Sequence, residues 1–160
     1  MQINQCVQLL ATQCLAKGFK IVTAESCTGG WVSHAIVSEA GSSQWFEGGI
    51  VSYSNYAKTT WLKVPAELIE KEGAVSEAVA SAMAEGALAT SVATHAVAIT
   101  GVAGPGGTEQ KPVGLVWFAW GARDGNVKAE QHHLKGDRTS IREQAVLIAL
   151  NGLQELLRSE

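Results

Sequence analysis

The 160 residues carry no excess of positive charge: 12 Lys and Arg stand against 15 Asp and Glu, a net charge of −3. A general nucleic-acid binder usually presents a basic face, so that class is disfavoured. No stretch is long and apolar enough to span a bilayer, so no membrane partner is expected. The N-terminus has neither a basic leader nor a continuous apolar run. Ile3, Cys6, Val7, Leu10, Cys14 and Leu15 recur at helical spacing there, which predicts a surface helix and not a signal peptide. Cysteine is scarce, with three residues and no Cys-x-x-Cys pair, which fits reduced thiols and the cytoplasm better than a disulfide framework. Four scattered histidines form no metal-ligand spacing, so neither a metal nor another cofactor is expected.

What is present is 46% hydrophobic residues and 17 glycines, the composition of a compact α/β enzyme-like chain. A single domain over 1–160 is expected. The first helix should stop at Gly18. Residues 20–24, short, apolar and partly β-branched, predict a buried strand, and the helix after it should run to about residue 39. A second strand is predicted over 46–53, a helix from Ser54-Asn55 to about residue 62, and a short helix between Pro65 and Gly73. Ser76 should cap a longer alanine-rich helix to about residue 91, and 95–101 reads as a central strand. The segment 102–113, with Gly104, Pro105, Gly106, Gly107 and Pro112, cannot hold a crossover helix, so the next strand, 114–122, should run antiparallel to its predecessor. A turn at 123–126 returns the chain as a fifth strand over 127–134, and Asp137 should cap the last helix. The expectation is a three-layer α/β/α sandwich on a mixed five-stranded sheet with one antiparallel strand. In such sheets the site lies beyond the carboxyl ends of the parallel strands, where Ser26, Tyr53 and Thr100-Gly101 would meet.

Thr23-Ala24-Glu25-Ser26-Cys27-Thr28-Gly29-Gly30 joins the first strand to its helix and holds the candidate chemistry. Unpaired main-chain N–H groups at such a turn suit an anion. Ser26 is a poor nucleophile without a base. No Asp-His pair presents itself, and the flanking residues lack the glycines of a Gly-x-Ser-x-Gly elbow. Lys58, one helical turn beyond Tyr53, can supply a neutral amine, with Tyr53 relaying a proton or orienting the lysine. Cys27 is the rival nucleophile, since a thiol at a helix N-terminus has a lowered pKa; its other reading is a small buried residue. Glu25 could act as a base, bind a ribose hydroxyl or cap main-chain amides. Gly136-Asp137-Arg138, with Arg142 one turn later, suits a phosphate or carboxylate, or a solvated cap. His34, His95, His132 and His133 read as structural or exposed, and Trp45, Trp61, Trp117 and Trp120 as core or interface.

These motifs together resemble the CinA C-terminal domain family. The likeness runs through residues 23–30, Gly41-Ser42-Ser43, Tyr53-Ser54-Asn55 with Lys58, and Gly73-Ala74-Val75-Ser76. It continues with Gly104-Pro105, Lys111-Pro112-Val113-Gly114 and Gly136-Asp137-Arg138. The resemblance implies a metal-independent amidohydrolase of pyridine nucleotide salvage that converts nicotinamide mononucleotide to nicotinic acid mononucleotide and ammonia. It implies a catalytic set on Ser26, Tyr53 and Lys58, the same mixed five-stranded fold, and a homodimer. Two departures stand out: the glycine loop is one residue shorter than usual, and Tyr56 replaces an acidic residue. The chain begins at the amidohydrolase helix, so the pyrophosphatase activity of larger relatives is not expected.

On this reading Lys58 takes the proton of Ser26, Ser26 attacks the carboxamide carbon, and N–H groups near Cys27 and Thr28 hold the oxyanion. Substrate contacts are expected from Glu25, Cys27, Thr28, Gly29, Gly30, Ser43, Thr100, Gly101 and Arg138, with Arg138 and Ser43 or Thr100 on the ribose phosphate. Two other readings stand beside it: a non-catalytic nucleotide-binding module linked to competence or DNA damage, and an amidohydrolase of another small amide.

Overall fold

The computed structural model describes residues 2–160. In chain order the elements are α1 (Ile3–Lys17), β1 (Ile21–Glu25), α2 (Trp31–Val37) and β2 (Phe46–Val51). There follow α3 (Asn55–Leu62), α4 (Ala66–Glu72), α5 (Glu77–Ala89), β3 (His95–Gly101), β4 (Leu115–Ala122), β5 (Val127–His133) and α6 (Arg138–Arg158). A single 3-10 turn, Ser42–Gln44, precedes β2.

The sheet order is β2-β1-β3-β4-β5. β1 pairs in parallel with both β2 and β3, and β4 is antiparallel to β3 and to β5. One strand therefore runs against the other four, as the glycine- and proline-rich link before it requires. β1 leads outward to β2, whereas β3 lies on the far side of β1. The connections diverge at the carboxyl ends of β1 and β3, which opens a crevice there.

Strand alternation sorts the core into two layers. Val97 and Ile99 of β3 face a cluster with Leu10, Ile36, Phe118, Trp120 and Leu150, built by α1, α2 and α6. Ala96 and Ala98 face the other way, toward Val79, Met83 and Ala87 of α5. Small residues on that face let the helix approach closely. At Gly86 of α5 an added Cβ would come within 1.8 Å of the Leu62 carbonyl oxygen, so the end of α3 lies directly on α5.

Local signals place the helix ends. Ser54, Ser76 and Asp137 each accept a hydrogen bond from a main-chain N–H of the first turn, those of Ala57, Val79 and Ser140. Gly18 closes α1 at φ 69°, a left-handed conformation that glycine adopts without Cβ strain. Trp120 is buried, its indole donating to the Ala149 carbonyl at 2.9 Å, while Trp61 stands on the surface of α3. His95 is buried and bonded to Thr94 and Glu160. No helix among the described residues is long and apolar enough to cross a membrane.

Candidate active site

A cavity of about 480 Å³ opens at the divergence point. Its wall includes Ser26 and Cys27 after β1, Tyr53, Asn55 and Lys58 around the start of α3, and Ala74 and Val75 before α5. The end of β3 and the loop beyond it, residues 100–106, form a second wall, and Arg138 closes the rim. That volume is within the range of small-molecule sites, about 300–1,000 Å³.

β1 ends at Glu25, and the Ser26 N–H donates to the carbonyl of Ile99 on β3 at 3.0 Å, which fixes the Ser26 backbone to the central strand. Lys58 projects from α3 and is only 2% exposed. Its Nζ lies 2.9 Å from Ser26 Oγ and 3.0 Å from the carbonyl oxygen of Tyr53. No carboxylate among the described residues forms an ion pair with it. Burial therefore pushes the Lys58 pKa below its ordinary value, with a weaker opposing pull from Cys27. A deprotonated amine beside a serine hydroxyl is a base within proton-transfer distance.

Of the two roles open to Tyr53, relaying a proton or orienting the lysine, its contact with Lys58 fits the second, made by the main chain and not by the phenol. Its main-chain carbonyl holds Lys58, whereas its phenol is turned to the rim, 3.4 Å from Arg138 Nη2. Arg138 also donates to the Gly104 carbonyl at 2.6 Å and so ties the glycine-rich loop to α6. Thr100 and Gly101 line the cavity, but the Thr100 hydroxyl donates to the Ala74 carbonyl at 2.9 Å and so braces the facing wall.

Six other candidates lie elsewhere or act otherwise. Glu25 is fully buried, and its carboxylate accepts from the N–H groups of Val32 and Ser33, each at 2.9 Å, and from the Ser33 hydroxyl at 2.7 Å. Of its three openings it takes the cap and has no face toward a substrate. Cys27 lies ahead of α2, which starts only at Trp31, and burial pushes its thiol up to about 12, the opposite of the lowered value expected at a helix terminus. Ser43 is exposed before the start of β2, at the end of the sheet opposite Ser26, and outside the cavity. Thr28, Gly29 and Gly30 shape the turn, the glycines at φ 60° and 98°, and line a separate shallow depression.

Arg142 is directed onto the turn, its guanidinium donating to the carbonyls of Cys27 and Thr28. Asn55, Ala74 and Val75 line the cavity without having been singled out as site residues; none carries a chemical signature in sequence. Among the described residues no group of three or more His, Cys, Asp or Glu is arranged to hold a metal ion.

A serine hydroxyl, a buried amine and a cavity of small-molecule size thus meet at one sheet edge, and known proteins are similar in sequence and fold. The nicotinamide-nucleotide amidohydrolase PncC of Pseudomonas putida is 52% identical over 139 residues, 86% of either chain. The protein of the same name from Escherichia coli K12 is 49% identical over 146 residues, 90% of this chain and 88% of the relative. The crystal structure of the competence/damage inducible protein CihA from Agrobacterium tumefaciens is similar at a TM-score of 0.94. It shares 43% identity and covers 98% of this chain and 95% of its own. The sequence model of the CinA C-terminal domain matches residues 3–157, and the chain belongs to that family.

Proposed function

We propose that the chain is a nicotinamide-nucleotide amidohydrolase that hydrolyses the carboxamide of nicotinamide mononucleotide to nicotinic acid mononucleotide and ammonia. The observation that carries the reading is the Lys58 Nζ, buried without a carboxylate and 2.9 Å from Ser26 Oγ. The names of the relatives at about half identity support the substrate class.

In the first step neutral Lys58 accepts the Ser26 hydroxyl proton as Oγ bonds to the carboxamide carbon, and the carbonyl oxygen becomes an oxyanion. The Ser26 N–H is occupied by Ile99, whereas those of Cys27 and Thr28 have no main-chain acceptor among the described residues; they are the donors for that charge. Lys58 then returns the proton to the departing nitrogen, the C–N bond breaks and ammonia leaves. Water, deprotonated in turn by Lys58, cleaves the Ser26 ester and regenerates the hydroxyl. Tyr53 orients Lys58 through its carbonyl, and Arg138 at the rim supplies a guanidinium for the ribose phosphate. No step needs a metal.

The reading includes a cytoplasmic homodimer. Trp120 of β4 is covered by α6 and unavailable to a partner, but Tyr56 and Trp61 on α3 are 75% and 54% exposed. Light scattering should give twice the chain mass of 16.8 kDa.

The test is chromatographic and ammonia-release assay of nicotinamide mononucleotide with chelator present, wild type beside Ser26→Ala. Release of both products that chelator leaves intact and Ser26→Ala abolishes is the expected result. A folded wild type that releases nothing would leave another amide, or a silent nucleotide-binding module, in its place.

A further inference from the structure

Arg142 lies one helical turn beyond Arg138 on α6, yet it does not line the cavity. Its Nε donates to the Cys27 carbonyl at 2.9 Å and its Nη2 to the Thr28 carbonyl at 3.0 Å. The guanidinium carbon lies 5.5 Å from the ring centroid of Trp31, which holds it from above. A Cβ at Gly29 would come within 3.3 Å of Nη2, so the guanidinium lies close against the turn. No carboxylate among the described residues pairs with Arg142, so the hydrogen bonds of this charge go to two consecutive carbonyls.

In a trans peptide the C=O and the following N–H point in opposite directions. Drawing the Cys27 carbonyl toward α6 therefore turns the Thr28 N–H away from α6. A charge-assisted hydrogen bond to that carbonyl also polarises the peptide and makes its N–H a stronger donor. The neighbouring planes have main-chain ties of their own, Gly29 N–H to the Ser26 carbonyl at 3.0 Å and Trp31 N–H to the Thr28 carbonyl at 3.1 Å, whereas the Cys27 carbonyl is held by Arg142.

We propose that Arg142 positions the Thr28 N–H as an oxyanion donor of this site: it locks and polarises the Cys27–Thr28 peptide plane, and it does not bind substrate phosphate. The inference rests on the reading of Ser26 as the nucleophile. Arg142 is a positioning residue, since it touches the turn and not the reacting atoms. It serves kcat, whereas a phosphate ligand would chiefly serve KM.

The test uses wild type, Arg142→Ala and Arg142→Lys with two readouts. One is kcat and KM for ammonia release from nicotinamide mononucleotide. The other is the rate at which a fluorophosphonate labels Ser26, followed by intact mass. There the Ser26 Oγ–P bond forms, the P–F bond breaks, fluoride leaves and the hydroxyl proton passes to Lys58, while the phosphoryl oxygen occupies the place of the oxyanion.

Arg142→Ala should lose roughly tenfold to a hundredfold in both kcat and labelling rate, with KM changed by less than about threefold. Arg142→Lys, reaching one carbonyl, should fall between and carries the test if Arg142→Ala does not fold. Arg142 borders a solvent-open depression of about 420 Å³, so free guanidinium in the assay should restore part of the lost rate to Arg142→Ala. A loss confined to KM, or labelling equally fast in all three proteins, would overturn the proposal. If wild type releases no ammonia but labelling still depends on Arg142, the substrate reading falls and the positioning role stands.

Discussion

Ser26 and Cys27 are adjacent potential nucleophiles, and their surroundings separate them. The hydroxyl has a buried amine at 2.9 Å; the thiol is pushed up to about 12 by burial and stays protonated at neutral pH. Ser26→Ala should therefore lose roughly a thousandfold or more in kcat, whereas Cys27→Ala should lose less than about tenfold, as ammonia-release assays will show. The same burial makes Lys58 costly to the fold. Its folded pKa lies below the unfolded value of 10.5, so between the two the unfolded chain binds the extra proton and stability rises with pH. Below the folded value the full penalty applies; above the unfolded value it vanishes. Lys58→Met should accordingly raise Tm at neutral pH while abolishing turnover, and the Tm gain should shrink as pH climbs toward the unfolded value. A variant less stable than wild type at neutral pH would show that the hydrogen bonds of Lys58 outweigh its desolvation.

At the scale of elements, the position of Lys58 depends on how α3 rests on α5. Gly86 permits that contact, since its Cβ would collide with the Leu62 carbonyl at the end of α3. Gly86→Ala should cost about 1–3 kcal/mol of stability in denaturant unfolding and lower kcat by shifting Lys58 from Ser26. Normal activity together with normal stability would refute that coupling. Most of these elements could be read in sequence because their signals are local: Ser54, Ser76 and Asp137 cap the helices they precede, and the helix-poor link 102–113 dictates an antiparallel β4. The failures came where a side chain's fate depends on distant elements. Glu25 looked available because nothing in its neighbourhood shows that α2 turns back to present Val32 and Ser33 to it. Of the two readings of Cys27, the small buried residue holds and the activated thiol at a helix terminus does not, since the helix starts later and burial dominates. Ser43 could have been excluded by topology alone: a residue before a parallel strand lies at the opposite edge from one after it.

Two apolar layers clamp the sheet and leave a crevice between the carboxyl ends of β1 and β3, where chain direction frees both strand ends. Chain segments far apart in sequence meet there: the β1 turn, the start of α3, the loop before α5, the glycine-rich loop and the start of α6. The convergence of Ser26, Tyr53 and Lys58 was legible from topology. The division of labour between Arg138 and Arg142 was not, because one helical turn aims the first at the cavity rim and the second at the carbonyls of Cys27 and Thr28.

The central claim is that Lys58 is an uncharged base poised against Ser26. The most direct measurement is the pH dependence of kcat for ammonia release from nicotinamide mononucleotide, wild type beside Lys58→Met. The account predicts a wild-type rate that rises with pH through an ionisation well below the ordinary lysine value of 10.5, and a variant slower by roughly a thousandfold or more throughout. A limb at the ordinary lysine value, or a Lys58→Met enzyme that turns over at nearly the wild-type rate, would contradict it.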